Sequence, residues 1–300
     1  MRKVNSWISA FRLRTLPLSL SSILMGSIIA YSHGKFTIPI AVLAITTTVF
    51  LQVLSNLAND YGDSKKGTDN INRIGPERAV QSGAISLDEM RNGIITSSIL
   101  SLLSGITLIY ISLIEYNLMY LITFFVLGIA AIAAAIKYTV GKKPYGYAGL
   151  GDLFVFLFFG ITGVIGTYFL HTHNFDLTLI LPATSVGLLS TSVLNMNNMR
   201  DIQNDAENNK ETLVVKMGIR KAKTYHTALI TGAIVSFSVF LLLNESSYTC
   251  LICLIPLPIF LLNIKKVWTF KDNRELDPEL KKLALSTFLL TLLYGISSIL

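Results

Sequence analysis

Long apolar runs, separated by short segments rich in charged residues, dominate the hydrophobic pattern of the chain. A helix needs about 20 apolar residues to cross a bilayer, and nine runs approach that length. They cover residues 16–31, 38–57, 94–114, 118–136, 153–170, 177–196, 228–243, 248–264 and 283–300. Pro256 and Pro258 interrupt the eighth run and predict a kinked helix. The sequence lacks the alternating strands of a membrane barrel, so the predicted fold is all-α: a polytopic membrane protein with nine transmembrane helices.

Composition supports a single integral membrane domain over residues 1–300. Hydrophobic residues make up 52% of the chain and charged residues only 14%, against about 25% charged in soluble domains. The net charge of +7 does not indicate a nucleic-acid partner, because the basic residues lie in short loops rather than on a solvated face. Two cysteines cannot form a disulfide framework. The lipid bilayer is the expected environment, and no obligate protein partner is inferred.

The basic residues are distributed unequally between the two sides of the predicted bundle. With nine spans, the N-terminus and the loops after spans 2, 4, 6 and 8 hold all 25 Lys and Arg residues except Lys35. Cytoplasmic loops retain such residues. The sequence therefore predicts a multi-pass protein of the inner (cytoplasmic) membrane, with the N-terminus and active site cytoplasmic and the C-terminus outside.

Two of these loops carry carboxylates and amides at regular spacing. The first reads NLANDYGDSKKGTDNINRIGPERAVQSG and the second NMNNMRDIQNDAENNKETLVVK. Their repeated residues are Asn59, Asp63 and Asp69 in the first, and Asn197, Asp201 and Asp205 in the second. Residues four apart share a helix face. Because the motifs are four spans apart, we expect two parallel four-helix repeats plus a ninth helix, with the acidic ends meeting on one membrane face.

Clustered carboxylates repel one another at neutral pH unless a cation lies between them. Asp and Asn oxygens without nearby His or Cys favour Mg²⁺, with Mn²⁺ as the other possibility, over Zn²⁺. We therefore predict that all six motif residues are metal ligands and that the four aspartates are catalytic. Acids are costly at mid-bilayer but tolerable at helix ends that line a wet cavity.

Basic side chains accompany the acidic ones in both loops. They include Lys65, Lys66, Arg73, Arg78, Arg200 and Lys210. A site for Mg²⁺ together with a polyanionic diphosphate needs both signs of charge, whereas a plain cation site does not. We predict that Arg73, Arg78 and Lys210 bind diphosphate. The alternative is that these are ordinary positive loops balanced by aspartates, which explains the charges but not the repeated spacing.

Taken together, the motif pair and the nine spans resemble the UbiA superfamily of membrane aromatic prenyltransferases. The segments NDYGD, KGTD, RIGPERAVQSG, PYGYAGLGDLFVFLFFG and NNMRDIQNDAENNKETLVVKMG look most like its 1,4-dihydroxy-2-naphthoate polyprenyltransferases. The resemblance implies a Y-x-x-x-K element at Tyr138 and Lys142, with Lys142 binding diphosphate. Asp69 follows Asp63 by six residues, where relatives acting on 4-hydroxybenzoate commonly use four, and this spacing suits the naphthoate branch.

The resemblance also implies a reaction. A polyprenyl group would pass from polyprenyl diphosphate to 1,4-dihydroxy-2-naphthoate, with loss of CO₂ and diphosphate, giving demethylmenaquinol for menaquinone synthesis. Tyr145, Tyr147 and Asp152 are candidates to orient or deprotonate the aromatic substrate, although Asp152 could instead cap the fifth span. Another UbiA-type enzyme with a different aromatic acceptor is the main alternative. A secondary transporter is less favoured, because its acids would lie near the midplane.

Overall fold

Helices form the regular secondary structure of the chain. The computed structural model describes residues 2–70, 73–244 and 248–300. Its α-helices are α1 Arg2–Phe11, α2 Leu16–Ser32, α3 Ile38–Lys66, α4 Leu87–Leu113, α5 Leu118–Lys137, α6 Gly151–Val155, α7 Thr167–Thr172, α8 Ile180–Arg200, α9 Ile202–Glu207, α10 Leu213–Leu243, α11 Leu257–Thr269 and α12 Leu276–Ser297. A π-helical stretch, Phe156–Gly166, joins α6 to α7. The all-α prediction is confirmed.

Nine helical segments in the described part of the chain are long and apolar enough to cross a membrane, as the sequence predicts. The seventh span, Leu213–Leu243, begins well before the predicted start at residue 228. Its first turns are amphipathic and contain several basic residues, so they do not form a continuous apolar run in the sequence. It bends at Gly218, whose φ is +77°. The eighth span is a 3₁₀ segment, Tyr248–Leu254, followed by α11, so its regular α-helix begins only beside the prolines from which a kink was predicted.

The fifth span packs unusually closely against its neighbours through glycine. A Cβ added to Gly163 would lie 2.7 Å from the Cβ of Ser22 on α2. One added to Gly160 would lie 2.6 Å from the carbonyl oxygen of Ala183 on α8. Only glycine permits this approach. Since both glycines lie in the π-helical stretch, close packing and the widened helix coincide here, and π-helical turns are frequent at functional sites.

Both acidic motifs lie at one end of the bundle, which we call the site face. α3 packs along α4 and α8 packs along α10, so the two motif helices have corresponding partners, as two repeats predict. The loop after α3 meets the segment after α8, where Asn204 Nδ2 donates a hydrogen bond to the Thr68 carbonyl at 2.9 Å. The fold thus joins two motifs that are more than a hundred residues apart in sequence.

Candidate active site

The first motif turns back on itself at the end of α3. Gly67 has a φ of +77°, and its N–H donates to the Ser64 carbonyl while the N–H of Thr68 donates to the Asp63 carbonyl. This is a Schellman C-cap, which glycine favours because it adopts positive φ without strain. The reversal carries Asp69 back over the last turn of the helix, where its N–H reaches the Asp63 carbonyl at 3.4 Å. The six-residue spacing of the acids therefore still brings them together.

The second motif forms a comparable return. α8 ends at Arg200, Asp201 is the junction, and the short α9 carries Asp205. The N–H of Lys210 then donates to the Asp205 carbonyl at 2.8 Å, so the chain folds back after α9. Asp201 and Asp205 are both buried.

Lys210 lies between the two motifs. Its Nζ is 3.5 Å from Asp63 Oδ2 and 3.6 Å from Asp205 Oδ1, and its side chain is only 12% exposed. Burial raises the pKa of Asp205 to about 7 against the opposing attraction of Lys210. Burial alone would lower the pKa of Lys210, but Asp63 and Asp205 raise it above its ordinary value. These buried carboxylates require a positive charge, and one ammonium serves both.

Asp69 lies beside two arginines. Its Oδ1 is 3.1 Å from Arg73 Nε and 3.6 Å from Arg78 Nε, yet both of its buried oxygens lack an aligned hydrogen-bond donor. Burial raises the pKa of Asp69, and repulsion by Asp63 adds to the rise, against the attraction of Arg78 and Arg73. The intervening residues 71 and 72 lie outside the described part of the chain. Asp69 therefore keeps free acceptor capacity facing a cationic surface.

Arg200 organises the second motif. Its Nη2 donates to Asn197 Oδ1 at 2.9 Å, and its Nε and Nη2 both bond to the Asp201 carboxylate. Burial would raise the pKa of Asp201, but hydrogen bonds from Arg200 and its charge hold it below the usual range. Arg200 Nη1 also reaches Asp277 Oδ1 on α12 at 2.5 Å. The ninth span thus supports the second motif through one guanidinium.

Gly75 separates two of these guanidinium groups. A Cβ there would lie 2.7 Å from Arg73 Nη2 and 2.9 Å from Arg200 Nη2. We expect Gly75→Ala to displace both flexible ends without unfolding the protein and to lower kcat/KM for prenyl transfer about tenfold or more, since misplacement by 1 Å can cost about a hundredfold. Steady-state kinetics beside Glu77→Ala, an exposed change in the same loop, provide the check. Unchanged kinetics in Gly75→Ala would contradict this role.

The predicted aromatic-substrate residues occupy different places. Tyr147 donates to Asp63 Oδ1 at 2.8 Å and lies 2.6 Å from Thr68 Oγ1, so it belongs to the acidic cluster. Tyr145 donates a hydrogen bond to the Ala134 carbonyl at 2.9 Å and lines an apolar cavity inside the bundle, described below. Asp152 is in the first turn of α6, with its Oδ1 buried and unpartnered.

Lys142, by contrast, is exposed in the loop after α5, and no ion pair among the described residues includes it. The other predicted diphosphate ligands contact the acidic cluster: Arg73 and Arg78 lie beside Asp69, and Lys210 lies beside Asp63. The role of Lys142 therefore stays a prediction.

A cavity of about 370 Å³ extends into the bundle from Asn59, the first residue of the first motif. Asn59 lines its site-face end and also accepts a hydrogen bond from Thr139 Oγ1 at 3.3 Å. Its walls come from α2, α3, α4, α5 and the fifth span, and they are mostly apolar. The lining of α3 runs from Asn59 to Ala44, which corresponds to about 22 Å at 1.5 Å per residue. The cavity therefore suits a long apolar chain with a polar head at the site face.

The oxygen-rich cluster fits a metal ion that brings phosphate ligands with it. Within the described residues, no three His, Cys, Asp or Glu side chains are close enough to hold a metal alone. Mg²⁺, however, usually takes only one or two carboxylates and completes its shell with waters and substrate phosphates. The unpartnered oxygens of Asp69 provide such donors, and the buried carboxylate of Asp205 lies on the other side of Lys210. The arrangement suits a Mg²⁺–diphosphate better than a free metal.

Asp60 is a site-supporting residue that the sequence reading missed. It is buried, and its carboxylate accepts hydrogen bonds from the N–H groups of Ala79 and Val80 at 3.1 and 3.3 Å. It therefore positions the loop that carries Arg78. The only sequence signal was its place next to Asn59, and it falls outside the four-residue spacing because it lies on a different side of α3.

The sequence profile of the UbiA prenyltransferase family matches residues 19–292. This chain belongs to the UbiA family. A 1,4-dihydroxy-2-naphthoate octaprenyltransferase of Haemophilus influenzae is 44% identical, covering 98% of this chain and 96% of the relative. The protein of that name from Escherichia coli is 41% identical, covering 97% and 94%. The family prediction made from the motifs is confirmed.

Solved structures of the UbiA family share the fold. An apo UbiA homologue from Aeropyrum pernix K1 superposes with a TM-score of 0.71 at 16% identity, covering 96% of this chain and 98% of that chain. A homologue from Archaeoglobus fulgidus, described as bound to DMAPP and Mg²⁺, has a TM-score of 0.62 at 15% identity, covering 96% and 98%. The chain is thus a multi-pass membrane prenyltransferase with the architecture of its family.

Proposed function

We propose that this chain transfers a polyprenyl group from polyprenyl diphosphate to 1,4-dihydroxy-2-naphthoate, releasing CO₂ and diphosphate and giving demethylmenaquinol in menaquinone biosynthesis. The observation that carries the proposal is the junction of two acidic motifs at Lys210, where Asp63 lies one helical turn beyond Asn59, which lines the end of a long apolar cavity. The relatives at 41% and 44% identity bear the corresponding name.

The acidic cluster is proposed to bind the diphosphate with Mg²⁺, or Mn²⁺ in its place. Asp63, Asp69 and Asp205, with Asp201 and the amides Asn59 and Asn197 beside them, are the candidate ligands. The metal supplies charge neutralisation when bound. Lys210, Arg73 and Arg78 hold the phosphate oxygens and stabilise the negative charge that grows there as the allylic C–O bond breaks. The solved homologue described with DMAPP and Mg²⁺ supports this assignment by family.

The cavity is proposed to hold the prenyl chain and to keep water from its reactive end. Asn59 and Tyr138 line the part nearest the diphosphate, and Phe154 and Phe158 line the wall beyond. An allylic cation reacts with water, so an apolar lining favours capture by the aromatic ring. The ring forms a carbon–carbon bond to the prenyl group, the C–O electrons leave with diphosphate, and the acceptor carboxylate departs as CO₂.

Tyr145 and Asp152 remain proposed contacts of the aromatic acceptor. The buried Oδ1 of Asp152 has no hydrogen-bond partner among the described residues and could accept a bond from an acceptor hydroxyl. Tyr147 is better placed to orient Asp63. A transporter is disfavoured because the acids lie at one end of the bundle rather than at its midplane.

Acceptor choice tests the proposal. With carboxyl-labelled 1,4-dihydroxy-2-naphthoate and polyprenyl diphosphate, the purified enzyme is expected to release labelled CO₂ in step with prenylation and with equal diphosphate. 4-Hydroxybenzoate is expected to react at least about tenfold more slowly. Faster prenylation of 4-hydroxybenzoate with its label retained would contradict the naphthoate assignment and favour another UbiA-type acceptor.

We propose that residues 1–300 form a single domain in the cytoplasmic membrane. The distribution of basic residues among the loops supports an orientation with the N-terminus and site face cytoplasmic and the C-terminus outside. Continuous packing from α1 against α3 to α12 against α2 supports one domain. In a background without Cys250 and Cys253, an impermeant thiol reagent added to spheroplasts should label Lys35→Cys but neither Lys66→Cys nor Arg274→Cys. Labelling of Lys35→Cys together with Lys66→Cys would refute the topology.

A further inference from the structure

A second large concavity lies on the outside of the bundle, between α11 and α12. This groove has a volume of about 690 Å³, and its lining residues are not shared with the prenyl cavity. Lys265 and Lys282 line its site-face end. Leu262, Leu285 and Leu289 line the part further into the membrane-spanning region. Because α11 runs toward the site face and α12 runs away from it, charge and apolar surface are separated along the groove.

The charged end of the groove retains unneutralised positive charge. Lys266 is paired with Glu275, and Lys282 is 2.7 Å from Glu279 Oε1. Lys265 is exposed, and no ion pair found within the described residues includes it. The three lysines thus exceed the two carboxylates beside them. A ligand of complementary charge would be an anion.

The apolar end of the groove faces lipid. Leu262 is 62% exposed and Leu285 is 44% exposed on helices that span the membrane. Trp268, exposed on the last turn of α11, is typical of the headgroup region. A ligand here needs an apolar tail at acyl-chain depth and an anionic group at headgroup depth. Basic pockets between transmembrane helices bind anionic lipid headgroups in this way.

We propose that this groove is a binding site for one anionic phospholipid, whose phosphate lies between Lys265 and Lys282 and whose acyl chains lie along Leu262, Leu285 and Leu289. The lysine stems extend along the apolar wall while their ammonium groups reach the headgroup.

The groove is linked to the second acidic motif. Asp277, in the first turn of α12, receives a hydrogen bond from Arg200, which holds Asp201. Lys282 is fewer than two turns further along the same helix. A lipid that bridges α11 and α12 therefore stabilises the start of α12 and, through Arg200, the position of Asp201. This consequence for turnover rests on the proposed function, whereas lipid binding itself does not.

Lipid binding is tested on the full-length protein by native mass spectrometry in detergent, with phosphatidylglycerol titrated against phosphatidylcholine of the same acyl chains. Wild type is expected to retain one phosphatidylglycerol preferentially. Lys265→Ala combined with Lys282→Ala should weaken its binding about tenfold or more. The matched control, Arg220→Ala combined with Lys221→Ala, removes two exposed charges from α10 and should bind as wild type.

Three results would overturn the proposal: equal retention of the two lipids, undiminished binding by the groove variant, or equal loss in the control, which would indicate diffuse attraction only. A parallel assay compares prenyl transfer in nanodiscs with and without phosphatidylglycerol. Stimulation in wild type and in the control, but not in the groove variant, is the expected outcome. If the enzyme transfers no prenyl group to any acceptor while the binding preference persists, the proposed function fails and the lipid site stands.

Discussion

Asp63→Asn is expected to lower the rate of prenyl transfer about a hundredfold or more. Asp63 is the point where the first motif meets both Lys210 and Tyr147, at 3.5 and 2.8 Å. The substitution removes the charge of a proposed metal ligand and would weaken binding of the leaving diphosphate. Losses of this size follow from deleting a single group that stabilises transition-state charge. Single-turnover kinetics with saturating Mg²⁺ measure the effect.

Asp88→Asn is the control for this change. Asp88 is an exposed acid at the start of α4, paired with Arg91 on the surface, and its loss should leave turnover within about twofold. Chelation of divalent metals should abolish activity in wild type and in the control alike. Full activity in the presence of chelator would refute the metal role, and normal turnover in Asp63→Asn would refute the site.

Lys210→Met is expected to lower both activity and stability. Its removal leaves the buried carboxylates of Asp63 and Asp205 facing each other without the shared ammonium, and breaking a buried ion pair costs about 3 kcal/mol or more. Thermal unfolding in detergent should show a lower Tm, and added Mg²⁺ with diphosphate should recover part of it, because the metal replaces the missing charge.

Lys216→Met is the matched control, because Lys216 is half-exposed and its pair with Glu211 is on the surface. Its Tm should change little. Combining Lys210→Met with Asp205→Asn should restore part of the stability but none of the activity. Equal Tm values for Lys210→Met and wild type would show that the lysine does not balance the two motifs.

Residue spacing predicts some of the contacts in the candidate site but not others. Asn59 with Asp63 follows a four-residue period, and the sequence therefore identifies them as one helix face. Asp69 does not follow that period, and its approach to Asp63 depends on the reversal at Gly67. A motif comparison includes Asp69 correctly, but the physical reason appears only when the Schellman turn is seen.

The places of Tyr145 and Tyr147 in the site could not be predicted from their separation in the sequence. Tyr145 and Tyr147 are two residues apart, yet one lines the apolar cavity and the other hydrogen-bonds to Asp63. The 3₁₀ turn Tyr145–Ala148 directs them to different places, since its side chains are about 120° apart from one residue to the next. A hydropathy pattern has no information about this turn.

The nine spans, the all-α class and the one-sided placement of the acidic motifs could all be predicted from the sequence alone. These follow from the cost of leaving backbone or charge in hydrocarbon, and that cost depends on local composition. Three contacts appear only in the folded chain: Lys210 lies between Asp63 and Asp205, Asp60 holds the loop that carries Arg78, and Arg200 joins Asp201 to Asp277. These contacts join distant parts of the chain, so they depend on how the spans pack rather than on the composition of any one of them.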